Sequence, residues 1–338
     1  MASTLPEDQR LIGISPKAYE HPADRAATAA LKSIPMLDQV VKKLIEFGYE
    51  RALRQVLLAS GVRLGDDQLP EVWAAHRAAL ARLDLDEVPN LYLTQFPITN
   101  AAAIGAGKPV VVVNSHTVEL LDEVELRTVL GHEAAHILSE HVLYRTALII
   151  LLNLSPIGRM GMIMGLPLLA VRLILLEWFR AAELSCDRAA TLVNRDPLVT
   201  SRTLMVMAGG AASHRLNLDA FVRQAAEYED LEPGFDRLNR LWSELSLTHD
   251  YPVKRVSEIM KWVRSGEYDR IVKGEYRKRD EPVDARAEAG DAAEYYSERF
   301  RGIIKDASDG LAKVGDQAGD AAEKVSEWLP NRRGGGPR

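Results

Sequence analysis

The sequence predicts a mostly α-helical α+β protein with a small antiparallel sheet. Two of its helices carry the candidate site residues, and a hydrophobic helical hairpin is inserted between them. Apolar residues recur at spacings of three and four through most of 19–275, which is the pattern of amphipathic helices. Two short runs typical of strands, one of them the β-branched run Val110–Val113, lie between 88 and 115. Residues 142–179 are almost continuously apolar and are broken by Pro156 and Gly158. With 338 residues and 47% hydrophobic content, the chain can bury a substantial core.

Composition excludes several classes of protein. The net charge is −6 and the basic residues are scattered, so we expect no nucleic-acid partner. Cys186 is the single cysteine, which rules out an intrachain disulfide and fits a reducing compartment. The first ten residues lack the basic region and apolar run of a secretory signal. We therefore expect a cytoplasmic protein, or one associated with the cytoplasmic face of a membrane.

The elements follow one another in a simple order. A loose leader is predicted for 1–18, followed by N-terminal helices within 19–85 that include a long amphipathic helix at about 36–60. The edge-strand region, 88–115, contains two predicted strands. These are Leu91–Gln95 and Val110–Val113, the second being a β-branched run between Pro109 and Asn114.

The helix predicted at 120–141 carries His132, Glu133 and His136 in the pattern H-E-x-x-H. On a helix the two histidines lie one turn apart on the same face. Two imidazoles placed in this way can bind one Zn²⁺, and Glu133 beside them can polarise a water molecule. Five residues with three fixed identities also occur by chance. The alternative interpretation is a solvated helix face with two unrelated histidines.

A second helical segment, 180–212, supplies Glu183 and Asp187 on one helix face. A catalytic zinc ion usually has three protein ligands and one open position for water. Glu183 is the predicted third ligand, and Asp187 can accept the second N–H of a ligating histidine. Alone, this segment would fit a salt-bridged surface helix equally well. The presence of both motifs favours the metal site.

H-E-x-x-H followed by a distant E-x-x-x-D resembles the zinc metallopeptidases of the HtpX and CAAX-prenyl-protease type, which are gluzincins. Other stretches carry the same resemblance: 88–93, 100–103 and 108–115 before the first helix, 122–133 at that helix, and Thr248-His249 with Arg255 late in the chain. The resemblance spans about 19–272. The chain departs from the family at Ala102, where Phe is frequent, and at Cys186, where Ala is usual.

The resemblance implies a zincin-type catalytic domain with one Zn²⁺ per chain. In that family arrangement His132, His136 and Glu183 would bind the metal. Glu133 would take a proton from the attacking water and pass it to the leaving amine. Asp187 would orient a ligand without binding the metal.

The resemblance also implies how a substrate is bound. A peptide would add as a strand to the sheet edge at 100–104, represented by Asn100, Ala101 and Ala102. His249 would donate a hydrogen bond to the developing oxyanion. The alternative interpretation of His249 is a helix-cap or loop histidine.

These features predict a zinc-dependent metalloendopeptidase that acts on protein or peptide substrates, with a role in membrane-associated protein quality control. A zinc-containing scaffold or chaperone-like factor with little proteolysis is the alternative, suggested by the hydrophobic hairpin and the long tail. The presence of Glu133 argues against it, because a structural zinc site needs no base. A third hypothesis is a non-peptidase metalloenzyme that acts on a small molecule.

The apolar segment 142–179 allows three interpretations. It is a core hairpin over the site, a shallow insertion into one leaflet of a membrane, or a surface for self-association. Each arm is too short to cross a bilayer, and Arg159, Arg172 and Glu177 interrupt the run. The family interval that it resembles is often a membrane hairpin.

C-terminal helices are predicted within 213–275, and the composition then changes to charged and small residues. We predict that 276–338 is a largely disordered tail with a marginal amphipathic helix at 296–329. Three glycines weaken that helix by about 1 kcal/mol each relative to alanine.

Overall fold

The structure is a computed structural model that describes residues 10–33, 49–95, 100–105, 107–153, 160–230 and 251–282. The helices within these ranges are α1 (Pro22–Ser33), α2 (Tyr49–Ser60), α3 (Pro70–Arg82), α4 (Ser115–Leu120), α5 (Glu123–Leu138), α6 (Val142–Asn153), α7 (Met160–Asn194), α8 (Pro197–Gly209), α9 (Leu218–Asp230), α10 (Pro252–Arg264) and α11 (Glu267–Val272). The mostly helical α+β prediction is confirmed. Part of the helix predicted at 36–60 and all of the helix predicted at 296–329 lie outside the described residues.

The strands are β1 (Val62–Arg63), β2 (Leu91–Thr94), β3 (Ala101–Ile104) and β4 (Val110–Asn114), in the spatial order β1-β2-β4-β3. The sheet was predicted to be antiparallel, but it is mixed. β3 pairs antiparallel with β4, whereas β2 and β4 are parallel. The chain passes from β2 to the sheet edge, forms β3 there, and returns as β4 between them, so β4 runs in the direction of β2.

Helix α5 lies at the centre of the molecule, packed against α3, α7 and α8. It begins with a capping box: the Asp122 carboxylate accepts from the N–H groups of Val124 and Glu125, and the Glu125 side chain accepts from the Asp122 N–H. Apolar residues occur on all its faces, which is typical of a helix buried within a domain. Leu130 and Ala134 are fully buried in the main core.

Gly131 allows α5 and α7 to approach closely. A Cβ atom built on Gly131 would lie 3.0 Å from Cγ2 of Val193, a separation tighter than nearly all real Cβ contacts, so Val193 would have to shift. The glycine therefore brings the C-terminal half of α7 against the face of α5 that carries His132.

Helix α7 corrects the predicted division of the chain at residues 179 and 180. It continues from Met160 to Asn194, so the second arm of the apolar segment and the Glu183 segment form one helix. No glycine or proline interrupts residues 168–194. The segment predicted at 180–212 contains a break instead, because Asp196 caps α8 at Pro197. No helix in the described ranges combines the length and apolar character that a membrane crossing requires.

Residues of the predicted leader pack against residues at the start of the predicted tail. Leu11 and Ile14, in the predicted loose leader, are buried in the main core. Ile14 forms an antiparallel bridge with Lys278, and the Ser15 N–H donates to the carbonyl of Arg277. The leader boundary at 18 and the tail boundary at 276 both fall within this packed region. The sequence does not predict this packing, because the apolar residues that form it are isolated and do not recur at a regular spacing.

Candidate active site

The side chains of His132, His136 and Glu183 converge in the interior. The two Nε2 atoms are 3.2 Å apart, and Oε1 of Glu183 lies 3.0 Å from Nε2 of His136. Oε2 of Glu183 lies 3.4 Å from Nε2 of His132. A tetrahedral ion with bonds of about 2.0–2.1 Å has neighbouring donor atoms roughly 3.3 Å apart. The three donors therefore have the separations and the chemistry that suit Zn²⁺.

The two histidines differ in protonation. Burial lowers the pKa of His136 to about 3, and the charge of Arg145 adds to the effect, so His136 is neutral and offers a lone pair. Burial opposes the charge on His132 as well, but Glu183 and Asp187 raise the pKa of His132 to about 9. A bound metal would have to displace the proton from Nε2 of His132.

Asp187 holds His132 from behind. Its Oδ1 lies 3.1 Å from Nδ1 of His132, so the imidazole donates its Nδ1–H and turns Nε2 toward Glu183. The guanidinium of Arg255 forms a two-point contact with Asp187, with Nε donating to Oδ2 over 2.7 Å and Nη2 donating to Oδ1. Burial would raise the pKa of Asp187, but the charge of Arg255 lowers it. Arg255 was noted in the sequence without a role; here it holds the Asp187 carboxylate in place.

Glu133 lies on α5 with His132 and His136, and its side chain faces β3. Its Oε2 accepts from the N–H of Ala103 and from Nη1 of Arg145, each over 2.6 Å. Burial opposes ionisation of Glu133, but Arg145 and the two histidines more than offset it, and the pKa of Glu133 falls to about 2. Sequence reasoning missed Arg145. The available signal was a charged residue at the start of an apolar run, where charges are rarely buried without a partner.

The predicted substrate strand lies at the sheet edge beside Glu133. Ala101 and Ala102 belong to β3, which pairs on one side with β4. Asn100 precedes the strand and exchanges two hydrogen bonds with the hydroxyl of Thr117. A cavity extends from Asn100 and Ala101 past His132 and Glu183 toward α8; its remaining lining includes Thr128, Val129, Thr200, Thr203, Leu204 and Met207.

Cys186 offers an alternative third donor. Donor atoms of Cys186, His132 and His136 lie within 4.8 Å of one another. Burial raises the pKa of the Cys186 thiol well above its usual range, and nearby carboxylates raise it further. The thiol therefore stays protonated, whereas the Glu183 carboxylate places one oxygen 3.0 Å from Nε2 of His136 and the other 3.4 Å from Nε2 of His132. Glu183 is the better third donor.

His249 lies outside the described residues, so the structure gives no geometry for the predicted oxyanion donor.

Comparisons with known proteins identify the family of this chain. The sequence profile of peptidase family M48 matches residues 71–263. The plastoglobule-localized metallopeptidase 48 of Arabidopsis thaliana chloroplasts is 36% identical over 268 residues, covering 77% of this chain and 76% of that protein. No solved structure matches the chain. The predicted resemblance is confirmed: the profile spans more than half of the chain, and the chain belongs to peptidase family M48.

Proposed function

We propose that this protein is a zinc-dependent endopeptidase that cleaves peptide bonds in protein substrates and uses one Zn²⁺ per chain. The observation that carries the proposal is the convergence of His132, His136 and Glu183, with donor separations of 3.0–3.4 Å. When bound, zinc would supply Lewis acidity and activate water near neutral pH.

The chain's own residues divide the work. His132, His136 and Glu183 would hold the metal. Asp187 would keep the Nδ1–H tautomer of His132, and such support of a ligand typically changes metal affinity 10–100-fold. These roles are supported by the contact between Asp187 and His132 and by the complete burial of Glu183.

Glu133 is the proposed general base. Its carboxylate lies next to the donor cluster and also reaches the edge strand through Ala103. It would take a proton from the attacking water and deliver that proton to the amine nitrogen released from the peptide bond. The peptide would lie along the edge of β3, and His249 is retained as the proposed donor to the oxyanion, on the basis of the family resemblance.

Metal content and proteolysis should be measured together. Elemental analysis of wild type should give one zinc per chain, and casein cleavage should be lost when a chelator is added. Glu183→Ala should lose zinc. Glu133→Gln should retain zinc and lose cleavage, whereas Glu140→Gln, a matched change at an exposed glutamate two residues beyond α5, should retain both.

Each contrary outcome has a distinct meaning. Zinc retained fully by Glu183→Ala would place the third ligand elsewhere. Zinc without cleavage in wild type would support the scaffold function. Cleavage by Glu133→Gln would refute the proposed base, and absence of zinc from wild type would refute the metal site itself.

Location and membrane contact are part of the proposal. The Arabidopsis relative is named as plastoglobule-localized and chloroplastic. For this chain we propose a cytoplasmic location, contact with a lipid surface through residues 142–179, and self-association. Co-sedimentation with phosphatidylcholine vesicles tests the lipid contact. Light scattering of the purified protein in solution measures its mass and tests self-association. Failure to sediment would refute the lipid contact, and a monomeric mass would refute self-association.

A further inference from the structure

The edge of β3 beside Glu133 is already hydrogen-bonded within the molecule. Ala103 donates its N–H to Glu133 over 2.6 Å, and Nη2 of Arg145 lies 3.5 Å from the carbonyl oxygen of Ala101. In an antiparallel pair, alternate residues direct both backbone groups to the same side. Ala101 and Ala103 therefore present the groups that do not pair with β4, and these are the groups that an added peptide strand would need.

Thr146 closes the next position along this edge. Its hydroxyl accepts from the N–H of Gly105 over 3.0 Å and donates to the carbonyl oxygen of Gly105 over 2.9 Å. Gly105 has φ +132°, a conformation that side chains rarely adopt. Arg145 and Thr146 are consecutive residues of α6, and both are buried. The first arm of the apolar segment thus lies directly along the edge.

Helix α6 contacts Glu133 through a close and buried ion pair. Nη1 of Arg145 donates to Glu133 over 2.6 Å, and both side chains are about 4% exposed. The guanidinium also lies 5.3 Å from the ring centroid of Phe179. Removing one partner of a buried ion pair leaves an uncompensated charge, so Arg145 should leave this position only when a bound molecule provides replacement hydrogen bonds.

We propose that α6 is an autoinhibitory latch whose residues Arg145 and Thr146 occupy the peptide-binding edge of β3 and must be displaced by an extended peptide before cleavage. This inference rests on the proposed peptidase function. The backbone of an extended peptide carries an N–H for the carbonyl of Ala101 and a carbonyl for the N–H of Ala103, and so takes over the two edge contacts that Arg145 and Glu133 make. Its binding would release Glu133 from Ala103 and free the carboxylate to act as the base.

The latch is tested by peptide binding without catalysis. Fluorescein-labelled, carboxymethylated insulin B chain is titrated against chelator-treated protein and followed by fluorescence anisotropy. Thr146→Val removes both bonds to Gly105 while preserving shape, and should bind this peptide about fivefold more tightly than wild type. Thr28→Val is the matched control, because the Thr28 hydroxyl contacts Asp24 and Trp178 and makes no hydrogen bond to β3 or Gly105 among the described residues. It should bind like wild type.

A second variant and a kinetic measurement complete the test. Arg145→Met should also tighten peptide binding, and circular dichroism establishes that each variant is folded. With zinc bound, Thr146→Val should lower KM about fivefold and leave kcat unchanged, because only the competition for the edge is altered. Unchanged affinity in folded Thr146→Val would overturn the latch even if wild type cleaves peptides. A wild type that neither binds zinc nor cleaves would refute the proposed function, while the binding comparison would still decide the latch.

Discussion

Nδ1 of His132 lies 3.1 Å from Oδ1 of Asp187, and this contact joins the two helices that carry the proposed metal ligands. His132 belongs to α5 and Asp187 to α7, one turn beyond Glu183. Because Arg255 contacts both carboxylate oxygens of Asp187, a third helix, α10, fixes the same contact. The orientation of one imidazole thus depends on three separate parts of the chain.

Asp187→Asn should weaken zinc binding by on the order of 10–100-fold without abolishing it. Contacts that support a metal ligand typically change metal affinity by this factor. The amide is neutral, so it stabilises the Nδ1–H of His132 less and removes one of the two carboxylates, Asp187 and Glu183, that Arg255 contacts. Competition with a chromophoric chelator measures the affinity. Asp86→Asn, at an exposed position, should bind zinc like wild type. Equal affinities for Asp187→Asn and wild type would show that the contact does not support the metal.

Arg255→Lys should destabilise the fold by on the order of 2 kcal/mol, because a lysine ammonium cannot reproduce the two-point contact with Asp187. Arg255→Met should lose more, about 3–5 kcal/mol, since it leaves the buried Asp187 carboxylate without its charged guanidinium partner and with only the contact to His132. Urea denaturation gives both values. Arg264→Lys, at an exposed position of the same helix, is the control and should be neutral. A neutral Arg255→Lys would mean that the charge alone holds Asp187.

Gly131→Ala should destabilise the protein by about 1 kcal/mol, even though alanine is the better helix former. The new methyl group would meet three side-chain atoms of Val193 at 3.0–3.3 Å. Valine is stiff at χ1 in a helix, so it cannot rotate away. In a Val193→Ala background the same substitution should become stabilising. Thermal or urea unfolding of wild type, the two single variants and the double variant measures these effects. If Gly131→Ala also destabilises the Val193→Ala protein, the close contact is disproved.

Stability should fall below pH 6.5 partly because of His76. Burial lowers the pKa of His76 to about 4, and its Nε2 lies 3.1 Å from the carbonyl oxygen of Pro89. Between about pH 6.5 and 4 the unfolded chain binds a proton that the folded chain excludes, so acid favours unfolding. The stability advantage of wild type over His76→Gln should shrink by roughly 2 kcal/mol from pH 7 to pH 5. Denaturant unfolding at both pH values measures it.

The matched control for this pH dependence is His214→Gln, because His214 is exposed. Its stability difference from wild type should be the same at pH 7 and pH 5. A constant difference for His76→Gln as well would mean that His76 is protonated without cost in the folded protein.

Local patterns were sufficient to predict much of the fold. Strands predicted at Leu91–Gln95 and Val110–Val113 occur at Leu91–Thr94 and Val110–Asn114, because short apolar, aromatic or β-branched runs bounded by proline and polar residues encode their own extent. The placement of His132 and His136 on one face followed from helix geometry alone, which has a period of 3.6 residues. These relationships span a few residues, so periodicity determines them.

Only the tertiary structure decided which distant groups meet. Glu133 pairs with Arg145, 12 residues away, and Asp187 pairs with Arg255, 68 residues away. The parallel pairing of β2 with β4 depends likewise on where β3 inserts. Periodicity reports which face of an element is apolar, but not which element covers that face. The pairing of elements is set by packing complementarity, such as the fit of Val193 against Gly131, and so it emerges only when the whole core is assembled.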